Sequence, residues 1–203
     1  MTAPVQRNPP AVVITGASSG VGRACTAALD RRGWRVFAAV RRDEDARRLG
    51  EGASPRWTPL RLDVTDAAQI DAAVQRVNEE LGERGLAGLV NNAGIAVFGP
   101  LEFVHLDEMR RQLEVNVTGQ VAVIQRFLPL LRAAKGRIVN VGSITGRVAL
   151  PYFGPYTLTK FALEAISDVL RIELRKWGIR VSLVEPGSVD TPMWAKASRY
   201  QLL

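Results

Sequence analysis

Short apolar runs alternate along this chain with longer segments in which apolar residues recur every three or four positions. The apolar runs predict six strands, at residues 11–15, 36–40, 60–64, 88–92, 137–141 and 181–185. The longer segments predict helices, at residues 20–32, 66–81, 107–134 and 156–177. Strands that are apolar nearly throughout are typical of a parallel sheet covered by helices on both faces. The pattern therefore predicts an α/β protein with a three-layer, doubly wound parallel sheet.

Residues that favour helix ends lie at several predicted boundaries. Asp66 and Asp107 are expected to cap helix N-termini, because a carboxylate accepts hydrogen bonds from the free N–H groups there. Gly33 and Gly178 stand where helices are expected to end, since glycine adopts the left-handed conformation without steric cost. Neither an internal repeat nor a linker interrupts the pattern, so we expect a single domain over residues 11–203.

Residues 1–10 contain no apolar stretch and are predicted to form a flexible lead-in. No later window has the long uncharged run that a membrane-spanning helix requires. The single cysteine, Cys25, excludes an intramolecular disulfide and suits a reducing compartment, so a cytoplasmic protein is expected. Cys25 falls inside a predicted helix, where packing in the core is its expected role.

The chain carries a formal net charge of +7 and a sequence pI near 10.3, which permits an anionic ligand or partner. Its basic residues occur in short pairs among acidic ones. They lack the basic run and the interleaved aromatic residues typical of nucleic-acid binding, so no nucleic-acid partner is expected. His105 is the only histidine and has no cysteine or histidine companion, so no metal site is expected.

A glycine-rich stretch at residues 15–22 follows the first predicted strand and opens the first predicted helix. Gly16, Gly20 and Gly22 would let the backbone approach a phosphate, whose charge the helix N-terminus would stabilise. Their spacing differs from the G-x-G-x-x-G pattern of many dinucleotide-binding proteins. In a doubly wound sheet the turn lies at the carboxyl edge, where ligands bind. The alternative is a tight turn that binds nothing, because close packing alone also selects glycine.

The second predicted strand ends in Arg41 and Arg42, where dinucleotide-binding folds usually carry an acid that accepts the ribose 2′-hydroxyl. A guanidinium there can bind a 2′-phosphate, which a carboxylate would repel, so NADP is favoured over NAD. Asp43 and Asp45 follow closely, and the alternative is that both arginines are merely solvated in a loop.

Tyr156 and Lys160 are four positions apart on a predicted helix, and Ser143 follows the fifth predicted strand. Residues i and i+4 share one helix face, so the Lys160 ammonium can approach the phenol. A nearby cation favours the phenolate and is expected to lower the pKa of Tyr156 towards the working pH of an acid–base catalyst. Taken alone, the same spacing also fits an amphipathic helix with a surface lysine.

Together with further motifs, these features resemble the short-chain dehydrogenase/reductase family over residues 11 to about 195. The runs at 39–42 and 142–147 look like the branch that contains hydroxysteroid and retinol dehydrogenases. The resemblance implies a Rossmann-like fold and an oxidoreductase that transfers hydride between NADP(H) and an apolar alcohol or ketone. The further motifs are Asp63 and Val64, residues 91–94, Asn116, Ser143 and residues 186–191.

The resemblance also implies how the cofactor would be held. The turn at 15–22 would bind the pyrophosphate, and Ser18 and Arg41 would bind the 2′-phosphate. Asp63 and Val64 would bind the adenine. Residues 91–94 would form the floor beside the adenosine ribose, and the 186–191 loop would hold the carboxamide. The implied cofactor-binding residues are Gly16, Ser18, Ser19, Gly20, Val21, Gly22, Arg41, Asp63, Val64, Asn92, Ala93, Gly94, Tyr156, Lys160, Pro186, Gly187, Val189 and Thr191.

Four catalytic residues are implied in the same way. Tyr156 would exchange a proton with the substrate oxygen, and Ser143 would hydrogen-bond that oxygen and polarise it. Lys160 would lower the pKa of Tyr156 and hydrogen-bond the nicotinamide ribose. Asn116 would anchor a water molecule that links Lys160 to solvent.

Members of the family normally continue beyond the threonine loop, whereas this sequence stops at Leu203. We therefore expect a Rossmann-like domain without the usual C-terminal strand and helix. Tyr152, Phe153, Trp194 and Tyr200 suggest an apolar substrate, although core packing explains aromatic residues equally well. The alternative to an enzyme is a catalytically silent NADP-binding or interaction protein that lacks the substrate lid.

The resemblance further implies a homodimer, because family members commonly pair through the two long helices, here 107–134 and 156–177. A small-molecule alcohol or ketone is the other expected partner.

Overall fold

The computed structural model describes residues 8–51 and 53–197, and its centre is one parallel sheet. Six strands lie in the order β3-β2-β1-β4-β5-β6. They are β1 (Ala11–Ile14), β2 (Arg35–Val40), β3 (Trp57–Arg61), β4 (Gly88–Asn91), β5 (Arg137–Val141) and β6 (Arg180–Val184). The predicted doubly wound α/β sheet is thus confirmed. Residues 1–7 of the predicted lead-in lie outside the described residues.

The described part of the chain has seven α-helices: α1 (Gly20–Arg31), α2 (Asp43–Gly50), α3 (Ala67–Leu81), α4 (Leu106–Leu113), α5 (Gly119–Ala133), α6 (Gly154–Glu173) and α7 (Pro192–Ala197). The predicted helix at 107–134 is interrupted by a π-helical segment, Glu114–Thr118. A 3-10 turn at Ile144–Gly146 follows β5, and another at Arg175–Trp177 follows α6. Two helices, α2 and α7, were not predicted.

The predicted third strand, 60–64, is wrong in its position. The strand is Trp57–Arg61, because its backbone pairs with β2 from Val36 opposite Trp57 to Val40 opposite Arg61. The Leu62 N–H makes the last bond of this ladder, to Val40 at 2.9 Å. Residues 62–64 therefore leave the sheet at its carboxyl edge.

The predicted helix caps have mixed outcomes. Asp66 does cap α3, since its carboxylate accepts a hydrogen bond from the Gln69 N–H at 3.1 Å. The prediction for Asp107 is wrong, because α4 begins one residue earlier, at Leu106. Gly33 and Gly178 both have positive φ angles, of 83° and 72°, just beyond the ends of helical segments.

Apolar side chains cover both faces of the sheet and hold the central strands rigidly. On one face, Val13, Phe37 and Leu89 belong to a core that includes Val77 of α3 and Phe127 of α5. On the other face, Val12, Ile14 and Val36 pack with half-buried residues of α1, among them Cys25. The carboxyl ends of β1 and β4, where the strand order reverses, are therefore a fixed platform for the loops that follow.

Among residues 8–51 and 53–197, no helix has both the length and the apolar character that crossing a bilayer demands. The same residues contain no cluster of three or more His, Cys, Asp or Glu side chains that could hold a metal ion.

Candidate active site

A cleft of about 410 Å³ opens at the carboxyl edge of the sheet and brings nearly all the predicted site residues together. Its walls include the glycine turn, the end of β2, the loops after β3 and β4, the Ser143 turn, α6 and the 186–191 loop. Two predicted residues, Gly22 and Asn116, lie behind the wall instead of lining it. Both still contact residues that line the cleft: Gly22 lies against Gly16, and Asn116 hydrogen-bonds Ile95.

The glycine turn is as compact as its sequence predicted. Gly16 and Gly20 have positive φ angles of 64° and 53°. A Cβ atom on Gly16 would lie 2.8 Å from Cα of Ala93, and one on Gly22 would lie 2.4 Å from the Gly16 carbonyl oxygen. No side chain caps the N–H groups at the start of α1, and Ser19, Gly20 and Val21 line the cleft. This cradle fits a phosphate group.

Asn92 and Ala93 tie the glycine turn to the end of β4. Their N–H groups each donate to Thr15 Oγ1 at 3.0 Å, and Asn92 Nδ2 donates to the carbonyls of Thr15 and Gly16 at 3.0 and 3.1 Å. The floor of the cleft is thus hydrogen-bonded directly to the segment that follows β1.

The 186–191 loop closes the other side of this cradle. A Cβ atom on Gly20 would lie 3.1 Å from the Thr191 side chain, so turn and loop are in close contact. The Trp194 Nε1–H donates to the Val189 carbonyl at 2.9 Å and links the loop to α7. Pro186, Gly187, Val189 and Thr191 all line the cleft.

Arg41 lines the cleft at the end of β2, whereas Arg42 does not. Neither arginine has an ion pair or a side-chain hydrogen bond with another of the described residues. The acids that follow are occupied elsewhere, because Asp43 pairs with Arg61 and Asp45 with Arg48, both at 2.8 Å. The Arg41 guanidinium is therefore available to an anionic ligand.

Asp63 and Val64 line the cleft beyond the end of β3. The Asp63 carboxylate accepts hydrogen bonds from the Thr65 N–H at 3.0 Å and the Thr65 hydroxyl at 2.8 Å. All of these contacts use one oxygen, Oδ1, and the second oxygen makes no hydrogen bond to the described residues. The carboxylate is thus held in place with an oxygen to spare for a ligand.

Ser143, Tyr156 and Lys160 meet deep in the cleft, and all three are buried. Ser143 Oγ accepts hydrogen bonds from Thr145, from the N–H at 3.2 Å and from the hydroxyl at 3.0 Å. Because these bonds occupy its acceptor sites, the Ser143 O–H is left to donate to an oxygen in the cleft. The phenol of Tyr156 is the neighbour of this O–H, so a substrate oxygen would accept it in place of the phenol.

The pKa shifts of this group follow from burial. Burial raises the pKa of Tyr156, and the hydrogen bond with Ser143 offsets only part of that rise. Burial also lowers the pKa of Lys160, to about 8. The Lys160 ammonium donates to the Val141 carbonyl at 2.8 Å and lies 5.3 Å from the centroid of the Tyr156 ring. The direction of the Tyr156 shift is opposite to the one predicted from the sequence.

Asn116 lies in the π-helical segment and is fully buried. Its amide exchanges two hydrogen bonds of 2.8 Å with the backbone of Ile95, and its Nδ2 donates to Thr159 Oγ1 at 3.2 Å. Thr159 Oγ1 in turn donates to the Tyr156 carbonyl at 2.8 Å. Asn116 therefore connects the loop after β4 with the turn of α6 that carries Tyr156.

An aromatic wall stands beside Tyr156. Phe98 is edge-on to Tyr156 with ring centroids 5.8 Å apart, and it stacks on Trp194 at the same separation. Phe153 contacts Phe98 with ring centroids 4.5 Å apart. Phe153 and Trp194 were noted in the sequence, whereas Phe98 was missed, because nothing in its local pattern indicates a position facing α6.

Comparison with known proteins finds matches over nearly the whole chain. The family model described as short chain dehydrogenase matches residues 10–201. The chain is 41% identical over 190 residues to the NADPH-dependent 3-dehydrocapnine reductase of Ornithobacterium rhinotracheale, covering 91% of this chain and 67% of that protein. It is 45% identical over 183 residues to human 17-beta-hydroxysteroid dehydrogenase type 6, covering 90% of this chain and 57% of the relative. Mouse retinol dehydrogenase 7 is 44% identical, with 89% and 57% covered. The chain thus spans little more than half the length of several curated relatives.

Solved structures are similar as well. A short-chain dehydrogenase from Streptomyces avermitilis superposes with a TM-score of 0.85 at 35% identity, over 90% of this chain and 67% of that one. A short chain dehydrogenase from Burkholderia cenocepacia J2315, solved in complex with NADP, superposes with a TM-score of 0.83 at 34% identity, over 94% and 77%.

Proposed function

The chain belongs to the short-chain dehydrogenase family, and on that premise we propose that it transfers hydride between NADP(H) and an apolar alcohol or ketone. One observation carries the proposal. Ser143, Tyr156 and Lys160 converge in the same cleft as a glycine turn whose cradle fits a phosphate. Acid–base and cofactor-binding groups thus share one pocket, as a reductase requires.

When bound, the cofactor supplies or accepts the hydride. The Tyr156 hydroxyl donates a proton to the carbonyl oxygen during reduction and removes it from the alcohol during oxidation. Ser143 donates its O–H to the same oxygen, because Thr145 already fills the acceptor sites of Ser143. Burial keeps Tyr156 protonated at neutral pH, which favours its role as the acid in reduction.

Lys160 and Asn116 have supporting roles beside Tyr156. We assign to Lys160 a hydrogen bond to the nicotinamide ribose, for which its ammonium keeps donors beyond the one directed at Val141. Asn116 holds the turn of α6 that carries Tyr156, and we assign to its π-helical segment the anchoring of a water molecule near Lys160.

The preference for NADP over NAD rests on Arg41. Its guanidinium lines the cleft while the neighbouring Asp43 and Asp45 are paired with other arginines. Ser18 also lines the cleft and is assigned with Arg41 to the 2′-phosphate. A relative named as NADPH-dependent and a similar structure in complex with NADP support this preference.

An apolar substrate is supported by the wall of Phe98, Phe153 and Trp194 beside Tyr156. Met193 and Leu150 extend this apolar lining. Relatives named as hydroxysteroid and retinol dehydrogenases fit a substrate of this kind.

We further propose a homodimer that forms through α5 and α6. The outer face of α6 exposes Leu158, Phe161, Val169 and Ile172, the last of them with 77% of its surface accessible. A groove between α5 and α6 continues this apolar face. An exposed apolar surface of this extent is typical of a protein interface.

We also assign residues 11–203 to one domain and the protein to the cytoplasm, where a lone cysteine stays reduced.

Thermal unfolding in the presence of NADPH, NADH or neither tests the proposal first. A ligand that binds only the folded chain raises Tm, and a tighter ligand raises it more at equal concentration, so we expect the larger shift with NADPH. A panel of apolar ketones with NADPH then tests turnover. Stabilisation by NADPH without turnover on any ketone favours a catalytically silent NADP-binding protein. No shift with either cofactor contradicts the proposal.

A further inference from the structure

Arg147 occupies a place where three segments of the cleft meet. It follows the 3-10 turn Ile144–Gly146, which begins directly after Ser143. Its Nη2 atom lies 2.9 Å from Glu164 Oε2, and its Nε atom lies 2.7 Å from Glu185 Oε1. Glu164 is one helical turn beyond Lys160 on α6, and Glu185 immediately precedes the 186–191 loop. One side chain therefore links the Ser143 turn, the catalytic face of α6 and the cofactor loop.

The backbone around this contact is closely packed. A Cβ atom on Gly146 would lie 2.8 Å from Glu164 Oε1 and 3.1 Å from the Lys160 carbonyl oxygen. The Ile144 N–H donates to the Pro186 carbonyl at 3.0 Å, and the Gly142 N–H donates to the Val184 carbonyl at 2.7 Å. A change in the spacing between the turn and α6 therefore moves the cofactor loop as well.

Arg147, Glu164 and Glu185 form a cluster in which Arg147 carries the positive charge between two carboxylates. The side chains of Glu164 and Glu185 are 13% and 31% exposed, and Glu164 Oε1 is buried with no hydrogen-bond partner among the described residues. Burial and the Glu185 carboxylate both raise the pKa of Glu164, whereas the hydrogen bond from Arg147 lowers the pKa of Glu185. Asp168, the next acid on α6, is paired with Arg171. Arg147 is thus the cation that separates two neighbouring carboxylates.

We propose that Arg147 is a positioning residue, which holds the Ser143 turn, α6 and the 186–191 loop in the arrangement that binds cofactor. An effect of Arg147 on catalysis rests on the proposed function. The effect of Arg147 on the arrangement of the three segments does not depend on that function. Without the guanidinium, Glu164 and Glu185 repel each other when both are ionised, and the turn and the loop separate from α6.

The repulsion has a definite pH dependence. Below the raised pKa of Glu164 that carboxyl is protonated, so the repulsion is absent at low pH and develops as the pH rises. A variant without the Arg147 charge should therefore lose NADPH affinity, relative to the unmodified chain, progressively as the pH rises from 5.5 to 8. At pH 8 we expect its Kd for NADPH to be about threefold higher, because the Arg147 side chain is 65% exposed and solvent screens its ion pairs. Loss of packing alone would weaken binding equally at both pH values.

The experiment compares Arg147→Met with Arg147→Met/Glu185→Gln, which also removes one of the two carboxylates. NADPH binding is measured for both at pH 5.5 and 8, with Arg126→Met as the matched control. Arg126 is 53% exposed and pairs with Asp71 at 3.4 Å, and it does not line the cleft. We expect the single variant to be impaired mainly at pH 8, the double variant to recover most of its affinity, and the control to be unchanged.

Hydrogen exchange on the cofactor-free chains supplies a second readout, compared with the unmodified chain at the same pH. Arg147→Met should lose protection in residues 142–147 and 186–191, with the larger loss at pH 8. Unaltered protection together with unaltered pH dependence of NADPH binding overturns the proposal. If the unmodified chain fails to bind NADPH, the proposed function fails, while the exchange measurement still decides whether Arg147 holds these segments together.

Discussion

The Lys160 ammonium lies 5.3 Å from the centroid of the Tyr156 ring and donates its resolved hydrogen bond to the Val141 carbonyl, not to the phenol. The two residues nevertheless share one face of α6, as their spacing in the sequence predicted. Lys160 thus faces the ring of Tyr156 instead of its hydroxyl, and burial dominates the pKa of both groups.

Replacing Lys160 by Met should stabilise the cofactor-free chain at neutral pH. The pKa of Lys160 is lowered from 10.5 to about 8, so the unfolded chain binds more protons between these two values and stability rises with pH across that window. Below pH 8 the charged form costs up to about 3 kcal/mol, at about 1.4 kcal/mol per pKa unit. Urea unfolding at pH 7 and 10 measures the difference. A stabilisation that does not shrink at pH 10 would contradict the burial of the charge.

Replacing Tyr156 by Phe should remove turnover and leave cofactor binding nearly intact. Only the proton-transferring hydroxyl is lost, because the ring keeps its contact with Phe98. We expect kcat to fall by about 10²- to 10⁴-fold, the usual contribution of a general acid. Steady-state kinetics and NADPH titration measure the two quantities. A main effect on NADPH affinity would assign Tyr156 to binding instead.

Replacing Arg41 by Asp should shift cofactor preference from NADPH towards NADH, because a carboxylate repels the 2′-phosphate. We expect the ratio of the two Kd values to change by at least about tenfold, the size of one charge-assisted hydrogen bond. Arg42→Asp is the matched control, since it makes the same charge change at the adjacent residue, which does not line the cleft. Equal effects of the two variants would indicate general electrostatics.

Replacing Gly22 by Ala should destabilise the chain even without cofactor. The added Cβ atom would lie 2.4 Å from the Gly16 carbonyl oxygen and 2.5 Å from Asn92 Nδ2, and the oxygen belongs to backbone that cannot move freely. We expect a loss of about 2 kcal/mol, which lowers Tm by roughly 4–8 °C. Gly187→Ala is the control, because a Cβ atom there meets nothing within 4 Å. Similar Tm values for the two variants would contradict the close packing of the turn.

Replacing Phe161 by Glu should dissociate the proposed homodimer. Phe161 is 45% exposed on the outer face of α6, and a carboxylate there would be desolvated in the interface. Light scattering coupled to gel filtration measures the mass. Phe103→Glu makes the same substitution at an exposed phenylalanine outside α5 and α6 and should leave the mass unchanged. A monomeric unmodified chain would refute the interface outright.

Much of the site was predictable because its signals are local. The turn that fits a phosphate requires positive φ angles at Gly16 and Gly20, and a sequence shows directly where glycine stands. The positions of Tyr156 and Lys160 follow from helical periodicity, and alternating strands and helices predict the parallel sheet with its ligand edge. Asp66 caps α3 through a hydrogen bond with Gln69, which is only three residues away in the sequence.

The tertiary structure alone decided the features that depend on contacts between distant segments. The register of β3 is set by pairing with β2, and the π-helical segment places Asn116 against Ile95 and Thr159. The partners of Arg147 come from residues 17 and 38 positions later, and no local pattern identifies them. The pKa of Tyr156 likewise depends on how deeply the whole fold buries it. By itself, the sequence predicted most of the residues that line the cleft, because their spacing encodes local backbone shape, whereas packing across the fold determined their charges and mutual contacts.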